Sequence, residues 1–145
     1  MVNTSTKRED LPAGSEILQQ DRDFQASMLA GVSRTFALTI PQLPEALRNV
    51  VSNAYLLCRI VDTIEDEPGL SADQKRSMCA LFLKILETDE DPALLIAELA
   101  PKLTHHAIPA EHELIRQLDR VVVITKSFAQ PQRQALIRCV RIMSE

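Results

Sequence analysis

Apolar residues recur every three to four positions over most of the chain, and this spacing predicts helices. Eight prolines separate the periodic segments. Because a proline inside a helix costs about 3 kcal/mol, these prolines mark helix boundaries. The predicted helices cover residues 15–30, 34–40, 45–67, 71–88, 92–100, 110–129 and 132–144. The fold class is therefore predicted to be all-α.

Local signals sharpen several of these boundaries. Ser71 has the side chain of a helix N-cap, with Gln74 in the first turn behind it. Gly31 is predicted to be a C-terminal stop for the first helix. The run Val121–Thr125 is rich in β-branched residues, but it lies within a longer helical period, and its length favours a helix.

Composition limits the class of protein. The chain has 145 residues, of which 46% are apolar and 25% charged, so it is predicted to form about one domain. We expect residues 1–14, which are mostly polar, to be a flexible N-terminus and residues 15–145 to form the helical domain. With 3% aromatic residues and a net charge of −4, the chain lacks the features of a nucleic-acid-binding surface.

The cysteines and the N-terminus indicate a compartment. Three cysteines with no Cys-x-x-Cys pair are typical of reduced, buried thiols. The N-terminal residues lack the apolar core of a signal peptide, and no stretch of about 18 uncharged apolar residues predicts a transmembrane helix. We therefore expect a cytoplasmic location.

The predicted helix 45–67 has polar residues along one stripe and apolar residues over much of the rest of its surface. At about 100° per residue, Tyr55, Arg59, Asp62 and Asp66 lie within about 60° of one another, and Glu65 flanks them. Apolar residues fill much of the remaining circumference. We therefore expect this helix to be central in the fold, with its polar stripe facing a cavity.

The acids of this stripe lie near the C-terminus of the predicted helix, where acidic side chains are unfavourable. A helix C-terminus carries partial negative charge, so each acid there costs roughly 0.3–1 kcal/mol. A divalent cation would reverse that penalty, and oxygen ligands that leave room for water and phosphate are those preferred by Mg²⁺. The alternative is a solvated acidic helix end in which Arg59 pairs with Asp62.

A second polar segment lies upstream. Ser33 and Arg34 stand at the start of a helical turn, where exposed N–H groups and a guanidinium could together bind a diphosphate. The alternative is an ordinary N-cap at Ser33 beside a surface arginine.

Together the two segments resemble the squalene/phytoene synthase family of head-to-head prenyl synthases. The resemblance rests on Ser33-Arg34-Thr35-Phe36 and on Tyr55-x-x-x-Arg59-x-x-Asp62-x-x-Glu65-Asp66, and it is clearest over residues 24–68. It implies the N-terminal part of an isoprenoid-synthase helical bundle around a hydrophobic cavity. Within the family, the order Asp-Thr-Ile-Glu-Asp is closer to the squalene synthase form.

The resemblance also implies roles for individual residues. It implies that the metal ligands are Asp62, Glu65 and Asp66. It also implies that diphosphate is bound by Ser33, Arg34 and Arg59. The catalytic residues that it implies are Tyr55, Arg59 and Phe36. The implied cofactors are Mg²⁺ and, for a reductive second step, NADPH.

The activity implied by the resemblance is the condensation of two farnesyl diphosphates to presqualene diphosphate and squalene. Three alternatives stay open: a phytoene or dehydrosqualene synthase, a non-catalytic helical module that binds prenyl diphosphate or a partner, and a head-to-tail prenyltransferase or terpene cyclase. The Ser-Arg-Thr-Phe block argues against a head-to-tail prenyltransferase or terpene cyclase.

The family's second acidic motif has no counterpart in the sequence. Asp89-Glu90-Asp91 does not replace it, because it precedes Pro92 in a predicted loop. We therefore expect the chain to be the N-terminal portion of an enzyme, to be inactive alone, and to self-associate through its uncovered apolar wall.

Overall fold

Helices follow one another through residues 19–145, which are the residues that the computed structural model describes. The eight α-helices of this region are α1 (Gln19–Val32), α2 (Arg34–Thr39), α3 (Glu45–Asp66), α4 (Ala72–Glu87), α5 (Ala93–Leu99), α6 (Pro109–Arg116), α7 (Leu118–Ser127) and α8 (Gln130–Met143). No strand occurs among them, so the predicted all-α class is confirmed. The N-terminus expected at 1–14 and the first residues of the helix expected at 15–30 lie outside the described residues.

Caps and prolines set the helix ends as the sequence predicts. The Ser33 hydroxyl accepts a hydrogen bond from the Phe36 amide at 3.3 Å and caps α2. Ser71 and Gln74 form a reciprocal capping box at the start of α4. Prolines occupy the first turns of α6 and α8, where a missing N–H costs nothing.

One predicted helix is two. Residues 110–129 divide into α6 and α7 at Gln117, whose φ of −111° and ψ of 21° leave the helical region. The apolar period continues through this break, and the buried residues Leu114 and Leu118 lie on either side of it. Periodicity therefore carried no sign of the break, and the prediction of a single helix was wrong.

Gly31 does not end α1 as predicted. The helix continues to Val32, and a Cβ at Gly31 would lie 2.9 Å from the Cβ of Ala110 in α6. The missing side chain therefore allows α1 and α6 to approach closely. What reads in the sequence as a stop signal is a helix contact.

Helix α3 is the centre of the fold, as predicted. It packs against α1, α4, α6, α7 and α8. Over its second half, five apolar side chains are buried and belong to one continuous core: Leu56, Leu57, Ile60, Val61 and Ile64. The acidic and cationic side chains of this half are therefore restricted to the part of the helix surface that these five residues do not occupy.

A line of polar side chains crosses the core between α1, α3 and α7. The Gln25 amide donates to the Asn53 side-chain oxygen at 3.4 Å, and the Asn53 amide donates to the Thr125 hydroxyl at 2.6 Å. All three residues are buried. Each amide or hydroxyl thus has a partner, which a buried polar group needs.

The three cysteines differ in exposure. Cys79 is buried, Cys58 is half-buried and Cys139 is exposed, and all three are free thiols. Burial was predicted for all three, so that prediction was wrong for Cys139, which lies on the outer face of α8. No helix within residues 19–145 is long and apolar enough to cross a membrane.

Candidate functional site

Asp62, Glu65 and Asp66 form what we call the acidic face of α3. Asp62 is half-buried, while Glu65 and Asp66 are exposed in the last turn. Within residues 19–145, none of the three carboxylates makes a hydrogen bond or an ion pair; Lys75 donates to the backbone carbonyl of Glu65, not to its side chain. The acidic face therefore carries negative charge, and no cationic side chain of residues 19–145 is paired with it.

The surroundings of Asp62 disfavour the charged form of its carboxyl group. Burial raises the pKa of this carboxyl group, the neighbouring charge of Asp66 raises it further, and Glu111 adds to the rise. Arg59 lowers the pKa but does not offset these effects. Two acids one helical turn apart, one of them partly desolvated, are an arrangement that a bound cation would stabilise.

Arg59 is bound to a residue far along the chain. Its Nε donates to Oε2 of Glu111 in α6 at 2.8 Å, with about a third of the arginine side chain exposed. Arg59 therefore does not pair with Asp62, as the alternative expected, although Glu65 and Asp66 are exposed to solvent as in that alternative. Its terminal nitrogens make no hydrogen bond within the described residues.

Phe36 and Tyr55 are brought together from separate segments. Their ring centroids lie 4.5 Å apart with a 35° angle between the ring planes. Tyr55 is half-buried on α3, and Phe36 is 42% exposed on α2. The structure thus joins the Ser33–Phe36 block to the helix that carries the acidic face.

Arg34 is a predicted site residue that no hydrogen bond or ion pair among the described residues joins to the acidic face of α3. It is exposed at the first position of α2 and makes no hydrogen bond or ion pair within residues 19–145. Ser33 beside it is engaged as the N-cap. Apart from Ser33 and Arg34, the predicted residues of the site lie on α3 or, in the case of Phe36, contact Tyr55 on it.

The donor set suits a metal that takes most of its ligands from elsewhere. Among residues 19–145, no three His, Cys, Asp or Glu side chains converge in an arrangement that could hold a metal ion. Carboxylates at i and i+4 that pair with no cation of the described chain fit Mg²⁺, which is often bound by one or two carboxylates plus phosphate oxygens and water. The residues therefore fit an ion shared with a phosphate ligand.

Glu67 is a buried acid whose role the sequence did not indicate. Its side chain accepts hydrogen bonds from the Gly69 amide at 2.7 Å and from the Thr104 amide and hydroxyl at 2.8 Å each. Burial raises its pKa, but these hydrogen bonds outweigh burial, and the pKa is lowered. Glu67 therefore fastens the end of α3 to the loop before α6. The only local signal was an acid directly before Pro68-Gly69.

Glu111 is the second residue that sequence reasoning missed. Besides binding Arg59, it accepts a hydrogen bond from the Ile108 amide at 3.0 Å and so caps α6. An acid three residues after a helix boundary is a capping signal in the sequence. Its contact with Arg59, 52 positions away, has no such signal.

Comparisons with known proteins agree on one family. A model described as squalene/phytoene synthase matches residues 29–138. The chain is 43% identical over 67 residues to squalene synthase 1 of Arabidopsis thaliana, covering 46% of this chain and 16% of that protein. It is 30% identical over 112 residues to squalene synthase BSS of Botryococcus braunii, covering 70% of this chain and 24% of that protein.

The chain is also similar to a synthase with a different name. The chain is 39% identical over 67 residues to lycopaoctaene synthase of Botryococcus braunii, covering 46% of this chain and 15% of that protein. The chain thus spans between 15% and 24% of the length of these three relatives. No solved structure matches it significantly.

Proposed function

Since the chain belongs to the squalene/phytoene synthase family, we propose that the protein containing it joins two farnesyl diphosphates head to head, forming presqualene diphosphate and then squalene. The matched region, residues 29–138, includes all of the candidate site residues. The chain contributes the first acidic motif of this activity.

The observation that carries the proposal is the acidic face of α3. Asp62 and Asp66 are one helical turn apart at a helix C-terminus, without a cationic partner in the part of the chain that the structure describes, and burial raises the pKa of Asp62. Such an arrangement destabilises the protein unless something positive binds there. Structural needs alone do not explain these acids.

Asp62 and Asp66, with Glu65 beside them, are the residues that would hold Mg²⁺. The bound ion would supply Lewis-acid stabilisation of the negative charge that develops on a departing diphosphate. The chain's own task is to hold the two carboxylates at fixed spacing. The second half of α3 does so, because five of its apolar side chains are buried in the core.

Arginine side chains would bind the diphosphate itself. Arg59 lies on the same side of α3 as the acids, and its two terminal nitrogens have no hydrogen-bond partner among residues 19–145. Arg34 is exposed on α2. A guanidinium can donate two parallel hydrogen bonds to phosphate oxygens. Ser33 fixes the start of α2 and thereby the position of Arg34.

The aromatic pair would serve the hydrocarbon chain. Phe36 and Tyr55 present touching rings next to the polar stripe, and such rings exclude water from a reacting centre. Exclusion of water matters because water captures carbocations. The reductive step to squalene would then use NADPH as the hydride donor.

The test is product analysis with the full-length protein that carries this chain. Farnesyl and geranylgeranyl diphosphates are supplied separately, with and without Mg²⁺ and NADPH, and products are identified by mass spectrometry. We expect squalene from farnesyl diphosphate only when Mg²⁺ and NADPH are present. Phytoene, or dehydrosqualene without NADPH, would instead support a non-reductive member of the family.

Variants tie the result to the acidic face. Asp62→Asn and Asp66→Asn should each abolish Mg²⁺-dependent turnover while circular dichroism shows unchanged helicity. Asp73→Asn, an exposed acid in the first turn of α4, is the matched control and should keep full turnover. Binding of prenyl diphosphate without any product in the parent would favour the non-catalytic module.

A further inference from the structure

Glu111 holds two separate parts of the molecule at once. One carboxylate oxygen accepts the Ile108 amide at the start of α6, and the other accepts Nε of Arg59 on α3. Its side chain is only 13% exposed, and α6 is itself anchored by buried Leu114 and Ile115. Glu111 is therefore a fixed acceptor rather than a mobile surface acid.

The way Arg59 is held leaves its binding capacity intact. A guanidinium has five N–H donors, and the contact with Glu111 uses the one on Nε. The four N–H groups of the terminal nitrogens make no hydrogen bond within the described residues. A partner on a terminal nitrogen would instead have blocked the fork that matches a phosphate.

On these contacts, and resting on the proposed function, we propose that Glu111 is a positioning residue: it fixes the Arg59 guanidinium by Nε so that its terminal nitrogens stay available to a diphosphate at the acidic face of α3. Arginine has many rotamers, and the freedom of an unheld side chain would be lost on each binding event. Fixing the side chain beforehand removes that cost.

Electrostatics alone would argue against an acid at this place. Glu111 is close enough to Asp62 to raise its pKa, so its charge also acts on anything bound there. A diphosphate is an anion and is repelled by Glu111. Removing that charge would therefore tighten diphosphate binding, unless the orientation of Arg59 matters more. The two roles predict opposite signs.

The experiment measures binding of inorganic diphosphate, in the presence of Mg²⁺, to the full-length protein by titration calorimetry. Glu111→Gln should weaken binding about tenfold, which corresponds to a loss of about 1.4 kcal/mol. The two donors bind different oxygens of Glu111, and in glutamine one of these oxygens is replaced by an NH2 group, which is itself a donor and faces either the Ile108 amide or Arg59 Nε. Glu111→Asp keeps the charge on a shorter side chain and should recover part of the affinity.

Two controls separate positioning from general structure. Glu113→Gln removes an acid from the same helix, one that pairs with Arg116, and should leave diphosphate affinity unchanged. In an Arg59→Lys background, Glu111→Gln should have little further effect, because the residue it acts through is gone. Melting temperatures of all variants report any loss of the α6 cap separately from affinity.

Each outcome has one meaning. Equal or tighter diphosphate binding by Glu111→Gln, or an undiminished effect of this substitution in the Arg59→Lys background, would overturn the positioning role while leaving the proposed function standing. A parent protein that fails to bind diphosphate with Mg²⁺ would overturn both.

Discussion

At the scale of single residues, Asp66 stands where an acid opposes the helix it belongs to. It is exposed at the last position of α3, makes no contact with a protein cation in the described region, and faces the partial negative charge of the helix end. Without metal, this charge should destabilise the protein.

We therefore expect Asp66→Asn to raise the free energy of unfolding by roughly 0.3–1 kcal/mol in EDTA. The measurement is a pair of thermal or urea melts of the parent and the variant. Asp73→Asn is the matched control with the opposite sign, because Asp73 lies in the first turn of α4, where an acid is favourable. A clear loss of stability in Asp66→Asn would show that Asp66 has a structural partner.

Cys79 shows what burial does to a thiol. Desolvation and the charge of Glu65 raise its pKa from 9.0 to about 11. Because the folded state favours the neutral thiol, its contribution to stability is complete below pH 9 and is lost as the pH rises towards 11.

Alkylation measures this difference directly. With iodoacetamide at pH 8.5, the native protein should be labelled at exposed Cys139 well before Cys79, since the thiolate is the reactive form. Mass spectrometry of the digested protein identifies the labelled sites. Equal labelling rates for the two thiols under native conditions would contradict both the burial of Cys79 and its raised pKa.

At the scale of elements, Glu67 joins the end of α3 to the loop before α6 through three hydrogen bonds. Glu67→Gln leaves fewer acceptors for the same donors in a buried place. We expect a loss of about 1–3 kcal/mol in the free energy of unfolding, measured by urea denaturation in EDTA.

The neighbouring acid provides the comparison. Glu65→Gln changes an exposed side chain without a hydrogen bond in the described region and should shift stability by no more than about 0.5 kcal/mol. If the two substitutions have equal effects, the buried contacts of Glu67 contribute nothing beyond its charge.

Elements were predictable from the sequence to the extent that their signals are local. Apolar periods, prolines and the caps at Ser33 and Ser71 lie within a few residues of the features they set. Apart from 110–129, the predicted helices agree with the structure over residues 19–145. The break at Gln117 was hidden by a continuing apolar period. Gly31 has the residue type of a stop but serves a contact with Ala110.

The candidate site divides in the same way. Spacing on one helix placed Tyr55, Arg59, Asp62 and Asp66 on a common stripe. The partner of Arg59 could not be predicted, because Glu111 is 52 positions away and only the packing of α6 on α3 brings it near. Glu67 and Thr104, 37 positions apart, were missed for the same reason.

At the scale of the whole molecule, the surface retains large apolar side chains. Leu38 is 73% exposed, Leu47 48% and Phe36 42%, all on α2 or the first turn of α3. Exposed apolar patches of more than a few hundred Å² are uncommon on monomeric proteins and promote association.

We expect residues 1–145 alone to self-associate and to make no squalene. Sedimentation velocity over a range of concentrations tests association, and Leu38→Glu should reduce it more than Val123→Glu, a change at an exposed position on α7. Turnover should be absent because the acidic face can hold a diphosphate from one side only, and small misplacements cost about 100-fold in rate. A monomer at all concentrations, or squalene from this chain, would contradict these expectations.

The buried line from Gln25 through Asn53 to Thr125 has a consequence for how this sequence can change over time. An apolar core tolerates many substitutions of similar volume, but here a change at Gln25 or Thr125 takes away a hydrogen-bond partner of the buried Asn53 amide. Asn53, in the middle, touches both others. The three positions should therefore vary together across descendants of this chain, with Asn53 the slowest to change. Together they determine how α1, α3 and α7 are aligned with one another.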